Sequence, residues 1–156
     1  MILSVAARAA SIVQPHHIAL LLDGRADLVR PGGADGVHLG EEANYAAARR
    51  VVGDGIVGVH GATRHEAMLA AEQGADYIAL GDFDDAAPTE TTVDLTAWWS
   101  ETMTVPCVAA GCANARDAAV LANAGADFLA ISPDASSTPE GLPALLRDIA
   151  AAAGSP

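Results

Sequence analysis

Short apolar runs recur along this chain, and each run is continuous rather than alternating with polar residues. Runs of this kind are typical of strands that are buried on both faces, as in a parallel sheet. We therefore predict six strands, at residues 18–22, 36–39, 56–59, 77–81, 106–110 and 128–131.

Alanine-rich segments fill most of the intervals between these runs. They predict helices at 2–13, 44–52, 64–73, 94–102 and 115–124, and a last helix that ends near residue 153. Asn44, Asp94 and Asn114 are predicted N-caps, since their side chains can accept hydrogen bonds from free backbone N–H groups. Between residues 22 and 36 we predict a tight turn instead, because Pro31-Gly32-Gly33 disfavours a helix.

A Gly-Ala-Asp phrase precedes three of the predicted strands, at residues 33–35, 74–76 and 125–127. Its glycine suits the left-handed conformation that ends a helix, so the phrase marks the passage from helix to strand. Repeated strand–helix units occur in closed (β/α) barrels and in open doubly wound sheets. We predict a single α/β domain over residues 1–156, of the (β/α) TIM-barrel type but incomplete, with about six of the eight strands.

Composition narrows the class of protein. Of the 156 residues, 51% are hydrophobic, which excludes a disordered chain. No apolar run reaches the ~18 residues that a membrane span needs. Cys107 and Cys112 lack the usual spacing of a zinc or redox pair, so we expect reduced thiols. Because the chain also shows no secretory signal pattern, these features predict a cytoplasmic protein.

Charge narrows the range of partners. The 20 acidic residues outweigh 8 basic ones and give a net charge of −12. This excess repels nucleic acid and anionic membranes at long range, so neither is an expected partner. All the basic residues are arginine, so no lysine amine exists for Schiff-base chemistry.

The residues that follow each predicted strand are the candidates for chemistry, because both architectures bind ligands at the carboxyl ends of their strands. One such segment, residues 111–114, leads directly into a helix, where backbone N–H groups can hold a phosphate. We predict four phosphate-binding residues: Gly111, Cys112, Asn114 and Ser132. The alternative is purely structural, in which Gly111 permits a turn and Asn114 caps a helix.

Acidic residues also follow the strands: Asp23, Glu41, Glu42, Asp82, Asp84 and Asp85. They could converge on Mg²⁺, which prefers oxygen ligands, or they could form a solvated acidic rim. His60 follows the third strand and is the histidine placed to act as a general base. His38 lies inside its strand, which favours a hydrogen-bonded core residue.

The order of these phrases resembles one family. The segment 33–40 is followed in turn by matching phrases at 57–59, 66–67, 74–78, 105–109 and 125–127. Over roughly residues 15–150 this set is similar to thiamine-phosphate synthase and its thiazole tautomerase relatives. The resemblance implies a complete (β/α)₈ barrel that joins a pyrimidine pyrophosphate to a thiazole phosphate, uses Mg²⁺ and releases pyrophosphate.

Two metal positions depart from the family pattern. Gly24 and Ala43 stand where the family has metal-binding aspartates. The neighbouring Asp23 and Glu42 are therefore the expected substitute ligands of Mg²⁺. The family's first two strands, which include a pyrophosphate-binding Gln-x-Arg-x-Lys sequence, have no counterpart in this chain.

The remaining site positions match unevenly. Arg25 is the one basic site residue that matches cleanly, whereas His60 aligns with a family serine. By this resemblance, Arg25 and His60 are the expected catalytic residues. Gly111 matches the phosphate loop after the family's seventh strand, and Ser132 approximates a serine after the eighth.

Three functions stay open at this point. The first is a divergent thiamine-phosphate synthase, whose catalysis we expect to be weak or absent. The second is a non-catalytic phosphate-ligand binder or regulatory barrel protein. The third is a small isomerase or tautomerase that uses His60 as its base. In each, the expected ligand is a phosphorylated small molecule, and open sheet edges predict a homo-oligomer.

Overall fold

The computed structural model describes residues 1–40, 43–131, 138 and 140–154. Its strands lie where the apolar runs predict them: β1 Leu21–Asp23, β2 Gly36–Leu39, β3 Ile56–His60, β4 Tyr77–Leu80, β5 Cys107–Cys112 and β6 Phe128–Ile131. All neighbouring strands are parallel. Two strands, β2 and β6, have the predicted bounds, and the others differ by a few residues at their ends.

Helices separate the strands throughout the described part of the chain: α1 Ile2–Val13, α2 Ala26–Gly32, α3 Tyr45–Val52, α4 Arg64–Glu72, α5 Glu90–Thr102, α6 Ala115–Asn123 and α7 Leu142–Ala152. A 3-10 turn, Gln14–His16, follows α1. The predicted N-caps Asn44 and Asn114 are confirmed, since each side chain accepts a hydrogen bond from the first turn of its helix.

Two local predictions are wrong. The interval 22–36 contains α2, which tolerates Pro31 because the proline lies in the last turn and removes only one hydrogen bond. Gly33 then ends the helix in the left-handed conformation, at φ 67°. Asp94 is not an N-cap, because α5 begins earlier, where the Thr89 side chain accepts the N–H of Thr92 at 3.1 Å.

The order of the strands decides between the two architectures. It runs β1-β2-β3-β4-β5-β6 without a reversal, whereas a doubly wound sheet changes direction at a switch point. The described strands therefore form an arc of a (β/α) barrel, as predicted. Strands β1 and β6 are the two edges of this arc.

The apolar core lies between the sheet and its helices, in three clusters. One contains Ile78 and Trp99, the second Val37 and Val57, and the third Ala109. Successive side chains of a strand point to opposite faces, so the residues between these core positions point to the concave face of the arc. That face carries polar side chains, and the candidate site lies on it.

The repeated Gly-Ala-Asp phrase has a structural role at the amino ends of the strands. Each of its aspartates accepts a hydrogen bond from a backbone N–H within one residue of the start of the preceding strand. The bonds run from Leu20 to Asp35 at 2.8 Å, from Val57 to Asp76 at 2.8 Å and from Cys107 to Asp127 at 2.9 Å. We call these three bonds the aspartate bridges. Because they lie at the end away from the candidate site, the repetition serves assembly of the sheet.

Candidate functional site

Four residues line up across the concave face, because the strands that carry them are in register. Asp23 of β1 pairs with His38 of β2, and His38 pairs with Gly58 of β3. Gly58 in turn pairs with Tyr77 of β4. Residues paired in this way point to the same face of a sheet, so these four share the inside of the arc. We call them the inner row.

Gly58 allows the aromatic rings of the inner row to meet. A Cβ atom at this position would overlap the hydroxyl end of the Tyr77 ring, which therefore lies directly over the glycine. The Tyr77 hydroxyl reaches Nδ1 of His38 at 2.9 Å. The two rings are nearly parallel, at 11°, with centroids 5.8 Å apart.

A cavity of about 430 Å³ opens beside the inner row, at the carboxyl ends of β1 to β4. Its lining consists of Asp23, His38, Gly40, His60, Gly81, Asp82, Phe83 and Asp84. Small-molecule sites typically measure ~300–1,000 Å³, so the cavity suits a ligand of one or two rings. Three of these side chains are carboxylates, and no arginine is among the described residues that line the cavity.

Burial keeps both rings of the inner row uncharged. It lowers the pKa of His38 below its ordinary value, an effect that Asp23 opposes and His60 reinforces. Burial also raises the pKa of Tyr77 to about 12, with a further contribution from the negative charge of Asp23. At neutral pH the hydrogen bond between them therefore joins two neutral groups.

His60 lies between two cavities. It lines the larger one and also an adjacent cavity of about 210 Å³, which reaches Asp85 and Leu95. Its Nε2 is 3.1 Å from the carbonyl oxygen of Gly81. The predicted general base is thus within reach of a ligand in either cavity.

Arg25 does not line these cavities. Its guanidinium makes two hydrogen bonds to the carboxylate of Asp27, at 2.9 and 2.8 Å, and both side chains are exposed. The hydrogen bond from Arg25 lowers the pKa of Asp27. Of the two residues predicted to be catalytic, His60 thus lies in the lining of these cavities and Arg25 does not.

The end of β5 is closely packed. Gly111 has a φ of 86°, and a Cβ there would lie 2.7 Å from backbone atoms of Ala87 and Pro88. The backbone of the loop between β4 and α5 thus packs directly against Gly111. Cys112 is 1% exposed, and burial raises the pKa of its thiol, so it stays protonated at neutral pH.

The amino end of α6 already holds a carboxylate. The Asn114 side chain accepts the N–H groups of Arg116 and Asp117 at 2.9 and 3.1 Å. The Asp117 carboxylate accepts the N–H of Ala113 at 3.2 Å and the side-chain amide of Asn114 at 2.7 Å. Asp117 is only 9% exposed, so an internal anion occupies the donors that were predicted to hold a phosphate.

Two predicted site residues lie outside the described residues: Glu42, a predicted metal ligand, and Ser132, a predicted phosphate ligand. Where the chain is described, no three His, Cys, Asp or Glu side chains come together in a way that could hold a metal ion. Asp23 lines the main cavity, with Asp82 and Asp84.

Sequence reasoning misses His38, Tyr77 and Phe83 as site residues. His38 has the hydrogen bond expected of a core residue, yet it also lines the cavity. The Phe83 ring lies 5.0 Å from it, tilted by 46°. The available signal is alternation: His38 lies between the outward-facing Val37 and Leu39, so it must face inward.

Comparison with known proteins gives the family. The profile of the thiamine monophosphate synthase family matches residues 1–134. This chain belongs to that family. It is 46% identical over 145 residues to the thiamine-phosphate synthase of Rhodospirillum centenum, a match that covers 88% of this chain and 70% of that protein. It is 39% identical over 150 residues to the thiamine-phosphate synthase of Hyphomonas neptunium, with 92% and 68% covered.

Family membership confirms the predicted resemblance and makes the chain a thiamine-phosphate-synthase-like protein of thiamine biosynthesis. A solved structure supports the fold. Thiamine phosphate pyrophosphorylase from Pyrococcus furiosus matches with a TM-score of 0.83 at 23% identity, over 97% of this chain and 75% of that one. Among the described helices, none is long and apolar enough to cross a membrane.

Proposed function

We propose that this chain binds a phosphorylated thiazole or thiamine compound at the carboxyl ends of its strands, and that it joins the two family substrates weakly or not at all. The observation that carries the proposal is the lining of the 430 Å³ cavity, which includes three carboxylates. The heterocycle of the ligand occupies this cavity.

The expected weakness of catalysis follows from charge. Condensation in this family expels pyrophosphate, which gathers negative charge as its bond to the pyrimidine breaks. Cations must balance that charge, because electrostatic stabilisation is usually the largest catalytic contribution. Here Arg25 is held by Asp27 outside the cavity, and the chain contains no lysine. The carboxylates of the lining repel the leaving group instead.

The phosphate of the ligand is proposed to reach the end of β5, where Gly111, Cys112 and Asn114 lie, with Ser132 completing the site. At this position it competes with the carboxylate of Asp117 for the N–H of Ala113 and the amide of Asn114. Binding of phosphate thus requires the Asp117 side chain to turn away.

Magnesium is the cation that thiamine-phosphate synthases generally use. The described residues alone do not fit a metal site, since they form no group of three ligands, and Gly24 and Ala43 have no side-chain donors. We propose that any Mg²⁺ is held by Asp23 together with Glu42. No step of the proposed function depends on it.

Turnover and binding are measured together on the 156-residue chain. It is incubated with the pyrimidine pyrophosphate, the thiazole phosphate and Mg²⁺, and binding of each compound is followed by calorimetry. We expect binding of the thiazole phosphate and thiamine phosphate formation at least ~10³-fold slower than in an active family synthase, since each lost charge contact typically costs ~10²–10³.

Two matched variants interpret the result. Asp23→Asn removes a carboxylate from the cavity, whereas Asp54→Asn changes an exposed carboxylate at the opposite end of the sheet. Rapid turnover that Asp23→Asn abolishes and Asp54→Asn preserves would show that substituted metal ligands work, and the proposed weakness would be wrong. If the chain bound none of these compounds, the proposed binding of a phosphorylated thiazole or thiamine compound would be wrong.

Proton transfer by His60 is a second candidate function, favoured by its position in the lining of both cavities. Since Nε2 donates to the Gly81 carbonyl, Nδ1 would act as the general base and isomerise a phosphorylated thiazole tautomer without metal. A catalytic base typically contributes ~10²–10⁴-fold, so His60→Gln should lower the rate by that factor and flatten the pH profile. Equal rates in the two proteins would leave binding alone as the function.

The remaining expectations stay proposals. We propose that the partners are phosphorylated small molecules and a further copy of the chain, not nucleic acid or membrane, and that the protein works in the cytoplasm. The net charge of −12 supports the exclusion of polyanionic partners.

A further inference from the structure

We propose that Tyr77 is a positioning residue, whose hydroxyl donates to Nδ1 of His38 and thereby fixes His38 as an Nε2–H donor for a ligand in the cavity. The ligand in this proposal rests on the proposed function. The hydrogen bond itself belongs to the free chain, and it can be tested without any ligand.

The contact between the two residues is built into the sheet. His38, Gly58 and Tyr77 lie in register on three successive strands. Only the absence of a side chain at Gly58 allows the Tyr77 ring to cross β3. The ring then stacks beside the imidazole, and its hydroxyl comes to 2.9 Å from Nδ1. The imidazole of His38 is therefore constrained twice, by stacking against the Tyr77 ring and by the hydrogen bond at Nδ1.

The direction of the hydrogen bond follows from counting donors and acceptors. A phenol hydroxyl has one proton to donate, and in the described part of the chain Nδ1 of His38 is the acceptor within its reach. If Nδ1 carried the proton instead, the partly buried Tyr77 hydroxyl would lose that acceptor. In a neutral imidazole whose Nδ1 accepts, the proton must be on Nε2.

The fixed tautomer gives the cavity a donor. Its carboxylates, Asp23, Asp82 and Asp84, can only accept hydrogen bonds when ionised. Nε2–H of His38 has no protein partner among the described residues, so it remains available to a ligand. The geometry therefore selects a heterocycle that presents an acceptor atom, such as an unprotonated ring nitrogen, to His38. The Phe83 ring, 5.0 Å from the imidazole, restricts the approach to it.

The first experiment measures the tautomer directly. The chain is labelled with ¹⁵N-histidine, and long-range ¹H–¹⁵N correlation spectra are recorded at about pH 8, above the ordinary imidazole pKa. His38→Gln identifies the signals of His38 among the 5 histidines. We expect a single Nε2–H tautomer for His38 in the wild type and a mixture of tautomers in Tyr77→Phe.

Two further variants separate positioning from general structure. Tyr45→Phe removes a hydroxyl that donates to the Gly74 carbonyl on the helix side of the sheet, not on its concave face, and should leave the His38 signals unchanged. Gly58→Ala displaces the Tyr77 ring but keeps its hydroxyl, and should reproduce the mixture. An Nδ1–H tautomer in the wild type, or unchanged His38 signals in Tyr77→Phe, would overturn the proposal.

The second experiment measures affinity for the thiazole phosphate by calorimetry. Loss of one oriented hydrogen bond should weaken binding by about 2- to 10-fold in Tyr77→Phe, with no change in Tyr45→Phe. Equal affinity in wild type and Tyr77→Phe would refute the positioning role. If the wild type shows the expected tautomer but binds no thiazole phosphate, the proposed function fails and the donor role falls with it, while the hydrogen bond stands.

Discussion

At the scale of single residues, Gly58 makes the contact between the side chains of Tyr77 and His38 possible. Because it has no Cβ, the Tyr77 ring lies against β3, and the hydroxyl meets His38. A substitution at Gly58 would therefore affect the site without touching a ligand. The same row brings Asp23 close enough to influence the pKa of both rings.

Ionisation of Tyr77 should lower the free energy of unfolding at alkaline pH. Its pKa in the folded chain is about 12, whereas a free tyrosine has 10.0, so the unfolded chain loses this proton first. The contribution is complete below about pH 10 and is lost as pH rises toward 12. We expect the free energy of unfolding to fall more between about pH 9 and about pH 11 in the wild type than in Tyr77→Phe.

Chemical denaturation at the two pH values checks this expectation. The Tyr45→Phe variant should keep the full alkaline loss, since the Tyr45 hydroxyl lies elsewhere and donates to Gly74. An equal loss in all three proteins would place the responsible group outside Tyr77.

The sequence predicts the site residues at the ends of strands but not those inside strands, because the latter meet only through the register of the sheet. Asp23 and His60 end strands, where polar residues after an apolar run are visible, and both line the cavity. His38 and Tyr77 are 39 residues apart, so their contact appears only when β2, β3 and β4 are aligned. Arg25 could be located in its loop, but its pairing with Asp27 could not be foreseen.

At the scale of elements, the aspartate bridges fasten β2 to β1, β4 to β3 and β6 to β5. Asp76 accepts the Val57 N–H and also pairs with Arg49 at 2.6 Å, so it links β3, β4 and α3. Its side chain is 47% exposed, which means that the charge itself is screened by solvent. The buried part of the interaction is the hydrogen bond to the strand.

Replacing Asp76 should therefore separate the hydrogen bond from the charge. Asp76→Ala leaves the Val57 N–H without its partner and should lower the free energy of unfolding by about 1–3 kcal/mol. Asp76→Asn keeps an acceptor oxygen and should cost about 0–1 kcal/mol, the typical value of an exposed ion pair. Urea denaturation measures both, with Asp148→Ala as an exposed control on α7. If Asp76→Asn lowered the free energy of unfolding more than Asp76→Ala, the hydrogen bond to Val57 would not be the main contribution of Asp76.

At the amino end of α6, removing a charge should lower the stability of the chain and strengthen its binding of phosphate. Asp117→Asn removes the negative charge that faces the N–H of Ala113. It should lower stability by about 0.3–1 kcal/mol, because a carboxylate at a helix start is favourable. It should also enlarge the rise in melting temperature caused by inorganic phosphate, since the competing anion is gone. An unchanged phosphate effect would show that phosphate does not use this turn.

Element boundaries were predictable where a local signal is strong. Asn44 and Asn114 cap their helices as expected, and α1 has its predicted bounds. The sequence pattern does not indicate the start of α5, because Thr91, Thr92 and Val93 are β-branched and disfavour a helix locally. Burial of Thr92 and Thr96 against the sheet outweighs that preference.

At the scale of the whole molecule, the arc leaves apolar surface uncovered. Phe128 at the β6 edge is 60% exposed, and Ile18 near the β1 edge is 56% exposed. Val5 and Ile12 of α1 are exposed as well. Strand edges with unpaired backbone groups and apolar side chains favour association with another chain.

We expect the 156-residue chain to self-associate, and sedimentation velocity from about 1 to about 100 µM to show the average mass rising with concentration. Phe128→Asp should reduce association, because it charges the β6 edge. Leu69→Asp is the matched control, since Leu69 is 46% exposed on the outer helix α4. A monomer throughout this range, or equal effects of the two variants, would contradict association through the edge.

The aspartate bridges also bear on how the chain folds while it is being synthesised. They span only 15, 19 and 20 residues, and each connects a new unit to the one made just before it. A nascent chain that emerges from the ribosome amino terminus first already contains the partner that each new aspartate needs. Strand order, which equals chain order, imposes the same direction. Assembly can thus follow translation one unit at a time, and no strand has to wait for a distant segment.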